Sequence, residues 1–451
     1  MFQKIALYNE IVKDIAKLAL PITIGQLGLI LMGVTDIMML GHYNTLAVSS
    51  AGFGNAVFFL FILIGMGTMY AVSTTVSIAD GEDKPQQAIP IFRSSLYVAS
   101  LMSVLLMLVN YLVLDFLYVF RQSKELTAGG AEFLGIINLS VPALMFFNSG
   151  KQLMDGLGKT QLSMYVTFIG LLLNLILNYA MIWGHLGAPE MGLAGSAWAT
   201  VISRYVMALL MLLWAWYHPL ITKLKQKHIE WKSYFLTILR IGIPVGLTFF
   251  FEIAAFSMAL IMAGSISDIH SASHQIAINL ASVTYMFVTG IAAGANILVG
   301  NFYGAQDKHG VRRSGIAAIL LTIGVELLFT SVFLIFRDEL PLLYTDDKAV
   351  LAIAPRLILL AAFFQLGDGI QAVAAGALRG IKDTKVTSII AFVSYWILMM
   401  PGAYLLCFGW GYGIDGIWIA FIIGLTFAAI LLTYRFYTQT RFHIIKFTDE
   451  T

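Results

Sequence analysis

The stretch VTDIMML, residues 34–40, places one carboxylate, Asp36, inside an otherwise apolar segment. No other charged residue occurs between Leu18 and Leu40. An apolar segment of this length matches the ~20 residues with which an α-helix crosses a bilayer. An ionisable side chain inside such a helix costs about 2.5–3.5 kcal/mol on insertion scales, so it usually faces a cavity or a partner. Asp36 is therefore a candidate functional residue; a structural ion pair or snorkelling to the membrane interface are the alternatives.

The composition of the 451-residue chain predicts a polytopic membrane protein. Hydrophobic residues make up 59% of the chain and charged residues only 12%, with a mean hydropathy of +0.84. Soluble domains carry about 25% charged residues, so this chain has too few to cover a water-facing surface. The net charge of +2 gives no indication of nucleic-acid binding. We expect membrane lipid as the surroundings and no nucleic-acid partner.

The apolar segments predict an all-α protein with twelve transmembrane helices. Helices are expected because each segment must satisfy its own backbone polar groups in lipid. The predicted spans are 16–40, 50–78, 92–118, 129–154, 160–184, 192–217, 236–264, 272–300, 311–336, 351–378, 385–409 and 413–434.

The two halves of the chain resemble each other at a nearly constant offset. An offset of 223 residues superposes four pairs, namely Pro21 on Pro244, Gly41 on Gly264, Gly67 on Gly290 and Gly81 on Gly304. An even number of spans in each half makes the two six-helix repeats parallel, an arrangement found in transporters. We therefore predict an N-terminal lobe over 1–217, a basic cytoplasmic linker over 218–235 and a C-terminal lobe over 236–451.

The distribution of lysine and arginine predicts the orientation, because these residues favour the cytoplasmic side. Of the 27, 21 lie on the side of the N-terminus, 5 lie on the opposite side, and Arg204 lies within a span. Both termini are expected in the cytoplasm.

Asp36 has candidate partners in the fifth span. Asn174 and Asn178 are four residues apart and so share one face of that helix. Such amides often join helices to one another. Opposite Asp36, they could instead supply oxygen ligands to Na⁺ or hydrogen-bond a protonated carboxyl group.

The second half of the chain contains its own polar cluster. Glu252 in the seventh span and Asp368 in the tenth lie near the middle of their segments, where packing alone rarely explains a carboxylate. Amide side chains accompany them in the eighth and tenth spans: Gln275, Asn279, Gln365 and Gln371. Glu326 and Arg204 are also inside spans, and the sequence leaves open whether they function or form structural pairs.

The sequence lacks three motifs that are typical of ATP-binding proteins, zinc proteases and serine hydrolases. The loop DGLGKTQ ends like a phosphate-binding loop, but Leu153 occupies the position of its first glycine. A zinc-protease HExxH and a hydrolase GxSxG are absent from the sequence. We expect no enzyme activity and no cofactor, so transport would draw its energy from an ion gradient.

Six segments together resemble the multidrug and toxic compound extrusion (MATE) family, NorM-type members in particular, over nearly the whole chain. In the first half they are TDIMMLG around Asp36, GLLLNLILN at 170–178 and GLAGSAWAT at 192–200. In the second half they are FFEIAAF around Glu252, SHQIAIN at 273–279 and GDGIQAVAAGALRGIKD from Gly367.

The resemblance implies a two-lobed, V-shaped bundle in the bacterial inner membrane that alternates between inward- and outward-facing states. Such proteins export small organic cations and other amphipathic drugs in exchange for Na⁺ or H⁺, and we expect a monomer. The resemblance assigns a coupling site to Asp36 with its two asparagines, and a second cation site to Glu252 and Asp368. If the ion is Na⁺, these three carboxylates would bind it. The chain departs from the family at Phe364, where a tyrosine is common.

Three other classes fit the sequence less well. A lipid-linked oligosaccharide flippase of the same superfamily would need a basic cavity, whereas the embedded charges here are mainly acidic. An ion channel or receptor would not account for the duplication with paired acids. A facilitator-superfamily transporter would carry a basic Gly-Asp-Arg loop motif, but residues 79–87 read ADGEDKPQQ.

Overall fold

In a computed structural model the chain is helical, and no strand occurs within the residues that the structure describes, namely 2–120, 123–218 and 232–441. The main helices are α1 Phe2–Tyr43, α2 Thr45–Gly81, α3 Ala88–Leu114, α4 Lys124–Asn138, α5 Val141–Gly156, α6 Thr160–Trp183, α7 Gly192–Tyr217, α8 Lys232–Ile266, α9 Asp268–Gly304, α10 Lys308–Ile335, α11 Lys348–Leu351, α12 Ala354–Gly380, α13 Thr384–Gly409 and α14 Ile414–Arg441. Short single turns occupy Pro85–Gln87, Leu117–Phe120 and Leu340–Leu343.

The helices confirm a multi-pass membrane protein. Within the described residues, 11 helices are long and apolar enough to cross a membrane, and the pair α4 and α5 brings the number to 12 if it forms one span. Several helices extend beyond the predicted spans. For example, α1 begins at Phe2, whereas the first span was predicted from residue 16. The difference arises because hydropathy detects only the apolar part of a helix, while backbone hydrogen bonding continues through the polar turns before it.

The fourth span differs from the prediction of one segment over 129–154. The structure bends by 45° between α4 and α5. Pro142 lies in the first turn of α5, where its missing N–H removes a hydrogen bond to the preceding turn. Ser140 lies at the bend, and its hydroxyl donates to the carbonyl oxygen of Ile137 at 2.6 Å. The proline therefore starts a new helix in place of a continuation of α4.

Helix α13 contains two wider, π-helical stretches, Val393–Met399 and Leu405–Gly409, on either side of Pro401. The N–H of Met400 donates to the carbonyl of Tyr395, five residues earlier. A proline cannot donate to the preceding turn, which loosens the helix around it. The first wide turn holds Tyr395 with its side chain fully buried.

The helices pack into two compact units. One consists of residues 24–246, and the other of residues 1–23 together with 247–451. The division falls within α1 after Thr23 and within α8 after Gly246, two positions related by the 223-residue offset of the repeats. Of the linker predicted over 218–235, residues 219–231 lie outside the described residues.

Glycines allow close helix contacts inside each unit. In the first unit, Gly242 of α8 packs against the backbone of Thr68 in α2. In the second unit, Gly290 of α9 packs against Ala19 and Thr23 of α1. Close approach through small residues is a main source of helix association in lipid, because lipid tails are as apolar as the side chains.

The contact between α9 and α12 depends on Gly376. A Cβ at this position would lie 3.0 Å from the carbonyl carbon of Ala292, which is backbone and cannot rotate away. We expect Gly376→Ala to destabilise the protein by about 1–3 kcal/mol, the usual cost of overpacking. Thermal unfolding in detergent checks this, with Gly324→Ala in α10 as the control, because a Cβ at Gly324 meets nothing within 4 Å. Equal melting temperatures for the two variants would contradict the close contact.

Candidate functional site

In the first unit, Asp36 of α1 is buried and accepts hydrogen bonds on both carboxylate oxygens. Its Oδ1 accepts from Nδ2 of Asn178 at 2.5 Å, and its Oδ2 accepts from the hydroxyl of Thr200 at 2.8 Å. The side chain is only 5% exposed. The predicted proximity of Asp36 to the fifth-span amides is thus present in the structure.

Asn174 links the two donors of Asp36. Its Oδ1 accepts from Nδ2 of Asn178 at 3.1 Å, and its Nδ2 donates to the hydroxyl of Thr200 at 3.3 Å. Helices α1, α6 and α7 therefore meet in one network of four polar side chains. Within the described part of the chain, Oδ1 of Asn178 has no hydrogen-bond partner and remains as an acceptor.

Thr200 was not predicted as a site residue. It is the last residue of the segment GLAGSAWAT, so the segment was recognised but its hydroxyl was not assigned. A threonine inside a helix usually hydrogen-bonds the carbonyl four residues earlier. Only the geometry shows that this hydroxyl points to Asp36.

Asp36 and Thr200 line a cavity inside the first unit, and Arg204 lies in the same wall. The cavity encloses about 100 Å³, enough for a small ion with its water or for the charged headgroup of a larger molecule. Its walls are otherwise largely apolar, with three methionines among the lining residues: Met32, Met66 and Met207. Thioether side chains are flexible and adapt to differently shaped contacts.

In the second unit, Glu252 of α8 is buried, and its Oε1 accepts from the hydroxyl of Tyr285 in α9 at 2.8 Å. The buried Tyr395 of α13 lies beside the same carboxylate, close enough to interact with its charge. Neither tyrosine was predicted as a site residue. Wide helical turns of the kind that holds Tyr395 are often found at functional sites.

Two other acidic side chains lie close enough to Asp368 in this unit to interact with its charge. Asp368 is 5% exposed, and the charges of Glu252 and Glu326 both interact with it. Glu326 is 1% exposed and packs against Gly369 of α12. Within the described residues, one oxygen each of Asp368 and Glu326 lacks a hydrogen-bond partner. The sequence left Glu326 open, and the structure places it in the acidic cluster.

The four predicted amides of this half have different surroundings. Gln365 is held between two threonines, accepting from Thr284 at 3.0 Å and donating to Thr330 at 3.1 Å, so it joins α9, α10 and α12. Gln275 donates to Asn279 at 3.1 Å, and Asn279 is exposed.

No hydrogen bond between described residues connects Gln275 or Asn279 to Glu252 or Asp368. The fourth amide, Gln371, is buried, and its Oε1 has no hydrogen-bond partner in the described part of the chain.

Phe364, at the position where the family often has tyrosine, belongs to an aromatic cluster. Its ring centroid lies 5.5 Å from Trp418 and 5.9 Å from both Phe256 and Phe421. The ring is 2% exposed. In this chain the position therefore contributes apolar packing, and the phenol hydroxyl next to Glu252 comes from Tyr285.

No group of three or more His, Cys, Asp or Glu side chains in the described ranges could hold a metal ion. That finding concerns these four residue types only. The oxygens around Asp36 belong to one carboxylate, two amides and a hydroxyl, which are hard ligands suited to Na⁺ as well as to hydrogen bonding.

Two of the basic residues that were counted on the side of the N-terminus are buried in helices. Lys151 pairs with Asp155 one turn later at 2.6 Å, and Asp155 also accepts from the hydroxyl of Ser163 at 3.0 Å. Arg379 is 7% exposed and lies over the ring of Phe249 at 5.9 Å. Both were counted from their position next to a loop in sequence, which does not show whether neighbouring helices cover a side chain.

Comparisons with known proteins identify the family of the chain. The family model described as MatE matches the chain twice, over residues 21–180 and 244–405. The chain belongs to the MatE family. The two matches begin 223 residues apart, which is the offset found between the halves of the sequence. The first match contains Asp36, and the second contains Glu252, Glu326 and Asp368.

Individual MatE relatives are similar over nearly their full length. The probable multidrug resistance protein NorM of Xanthomonas axonopodis pv. citri is 33% identical over 95% of this chain and 94% of the relative. The multidrug resistance protein MdtK of Yersinia pestis is 33% identical over 94% of both chains. The crystal structure of the eukaryotic MATE transporter AtDTX14 has a TM-score of 0.89 at 17% identity, covering 98% of this chain and 100% of that one.

Breaking the buried pair of Lys151 and Asp155 should be costly. Removal of one partner leaves a buried charge without compensation, which typically costs about 3–5 kcal/mol. We expect Lys151→Met to lower the melting temperature in detergent markedly, and the double variant Lys151→Met with Asp155→Leu to recover most of the loss. Ser163 retains a partner in the double variant, because its hydroxyl also contacts the carbonyl of Thr160. A double variant less stable than the single one would contradict this account.

Proposed function

We propose that this MatE-family chain is a cation-coupled multidrug antiporter that exports organic cations and other amphipathic toxic compounds by alternating access. The names of the NorM and MdtK relatives, at 33% identity over nearly the whole chain, support export of several drugs. Na⁺ or H⁺ is the coupling ion, and the protein works as a monomer in the bacterial inner membrane.

The single observation that supports this function best is the surroundings of Asp36. Its two hydrogen-bond donors, Asn178 and Thr200, are neutral. Among the described residues, no basic group forms an ion pair with it within 4.0 Å. An embedded carboxylate without an ion-pair partner is costly, so a proton, Na⁺ or a cationic drug that reaches the cavity is attracted to it.

Competition for this carboxylate couples the two movements. When the ion enters from outside, it neutralises Asp36 and favours release of the cationic drug. When the site faces the cytoplasm and the ion leaves, the carboxylate binds the next drug cation. A ligand shifts a two-state equilibrium only by its differential affinity for the two states, so ion and drug must favour opposite ones.

The acidic cluster of the second unit provides another place for the coupling ion. Glu252 with its phenol donor, and Asp368 with one oxygen lacking a partner among the described residues, offer oxygen ligands or proton acceptors. The two clusters can act together in one transport cycle. Substitutions within them are then non-additive, because each removes a step that the other requires.

The proposed orientation keeps both termini in the cytoplasm. Without the buried Lys151 and Arg379, 19 basic residues remain on the side of the N-terminus and 5 on the other. This asymmetry still favours a cytoplasmic N-terminus.

The coupling ion can be identified with purified protein in proteoliposomes. We expect efflux of a fluorescent organic cation to respond either to an imposed Na⁺ gradient at constant pH or to a pH gradient without Na⁺. A response to Na⁺ alone would assign the oxygen clusters to Na⁺, and a response to the pH gradient alone would assign them to protons. Folded protein that responds to neither gradient would reject the antiporter proposal and favour the flippase.

Asp36→Asn should abolish gradient-driven efflux while leaving the protein folded. An amide has nearly the shape of the carboxylate, but it holds neither a proton nor a cation by charge. We expect at least a 10-fold loss of the initial efflux rate, equivalent to about 1.4 kcal/mol or more. Asp14→Asn is the matched control on the same helix, because Asp14 is exposed and pairs only loosely with Lys17 at 3.8 Å. Full ion-dependent efflux by folded Asp36→Asn protein would refute the assigned role.

Glu252→Gln and Asp368→Asn should also lower coupled efflux by at least about 10-fold, since each removes a charge that can bind the ion. Adding Asp36→Asn to either variant is expected to cause little further loss. The measurement is the initial efflux rate for each single and double variant under the same gradient. Losses that multiply in the double variants would indicate independent sites.

A further inference from the structure

Arg204 is an embedded charge to which the proposed function gives no role. It follows Thr200 by four residues on α7, so the two side chains lie on one face of the helix. Both line the cavity that contains Asp36. The charges of Arg204 and Asp36 are close enough to interact, yet the two groups form no ion pair within 4.0 Å.

The partners of Arg204 are neutral. Its Nη1 donates to the hydroxyl of Ser140 at 2.7 Å, and its guanidinium lies over the ring of Phe58 at 5.3 Å. No carboxylate among the described residues forms an ion pair with it. A guanidinium has five N–H donors in a planar fork that matches a carboxylate. The contact with Ser140 uses one side of this fork and fixes its position in the wall.

The largely apolar wall of the cavity therefore contains one negative group, Asp36, and one positive group, Arg204, and these two do not form an ion pair. We propose that Arg204 is a specificity-determining residue that binds the carboxylate of a zwitterionic amphipathic substrate while Asp36 holds its cationic group. The inference rests on the proposed function and names a substrate class for it. It also predicts that Arg204 does not help simple cations to bind, since its charge repels any monocation that binds at Asp36.

A purely structural role for Arg204 predicts a different effect of its substitution on ligand binding. In that case, the bond to Ser140 fastens α7 to the bend between α4 and α5. Loss of the arginine would then affect all ligands alike, and loss of the Ser140 hydroxyl would have the same effect. The two roles can be distinguished by comparing how ligands of different charge bind to the same variants.

The test uses two probes that differ in one charge, N-benzyl-N,N-dimethylglycine, which is a betaine, and its methyl ester, which is a monocation. Their dissociation constants are measured by calorimetry on the full-length protein in detergent, for wild type, Arg204→Gln, Arg204→Lys and Ser140→Ala. For Arg204→Gln we expect the betaine to bind at least 10-fold more weakly, as for loss of a charge-assisted hydrogen bond. The ester should bind as well as to wild type, or more tightly.

The controls follow from the geometry. Ser140→Ala keeps the positive charge, so the ratio of the two dissociation constants should stay within about twofold of the wild-type ratio. Arg204→Lys keeps the charge but loses the planar fork. It should bind the betaine several-fold more weakly and the ester unchanged, and it decides the matter if Arg204→Gln does not fold.

An equal change in both dissociation constants for the arginine variants would overturn the proposal and leave Arg204 as a structural residue. A wild-type protein that binds the ester but not the betaine would overturn it as well, while leaving the antiporter proposal intact. If wild-type proteoliposomes export neither probe nor any organic cation under either gradient, the proposed function itself fails.

Discussion

The burial of a carboxylate in a membrane helix is the constraint on which the rest of this structure depends. Asp36 needs donors from its own protein, because lipid offers none. Those donors come from α6 and α7, so the carboxylate brings three helices of the first unit together. In lipid the hydrophobic effect gives helices little reason to prefer one another over hydrocarbon. Polar networks and close contacts at glycine therefore determine which helices meet.

The fold could be predicted from the sequence because a membrane reduces the choices. A long apolar segment must be a helix, and a repeat with an even number of spans must be parallel. Local backbone chemistry was harder to predict. Prolines are common in membrane helices, so Pro142 and Pro401 could not be recognised as the origin of a 45° bend and of two wide turns. What a proline does there depends on the neighbouring helices that satisfy the released backbone groups.

The sequence predicted those candidate site residues whose type is rare inside membrane helices. Carboxylates inside spans are rare enough to stand out, and Asp36 is surrounded by the amides that the spacing suggested. Hydroxyl groups carry no such signal, because threonine and tyrosine occur throughout membrane helices. Thr200 and Tyr285 were consequently missed. For Gln275 the structure shows a hydrogen bond to a neighbour on its own helix and not to a carboxylate, so its predicted role in the site stays a prediction.

The division of α1 and α8 between the two units has a consequence for biosynthesis. Residues 1–23 are translated before the other helices of their unit, which come from the second half, and Gly290, against which Ala19 and Thr23 pack, is made about 270 residues later. The first unit likewise awaits residues up to 246 before it is complete. Neither half of the polypeptide contains all the residues of one unit. The two halves therefore cannot mature one after the other as independent domains, and α1 must remain partly unpacked until synthesis is well advanced.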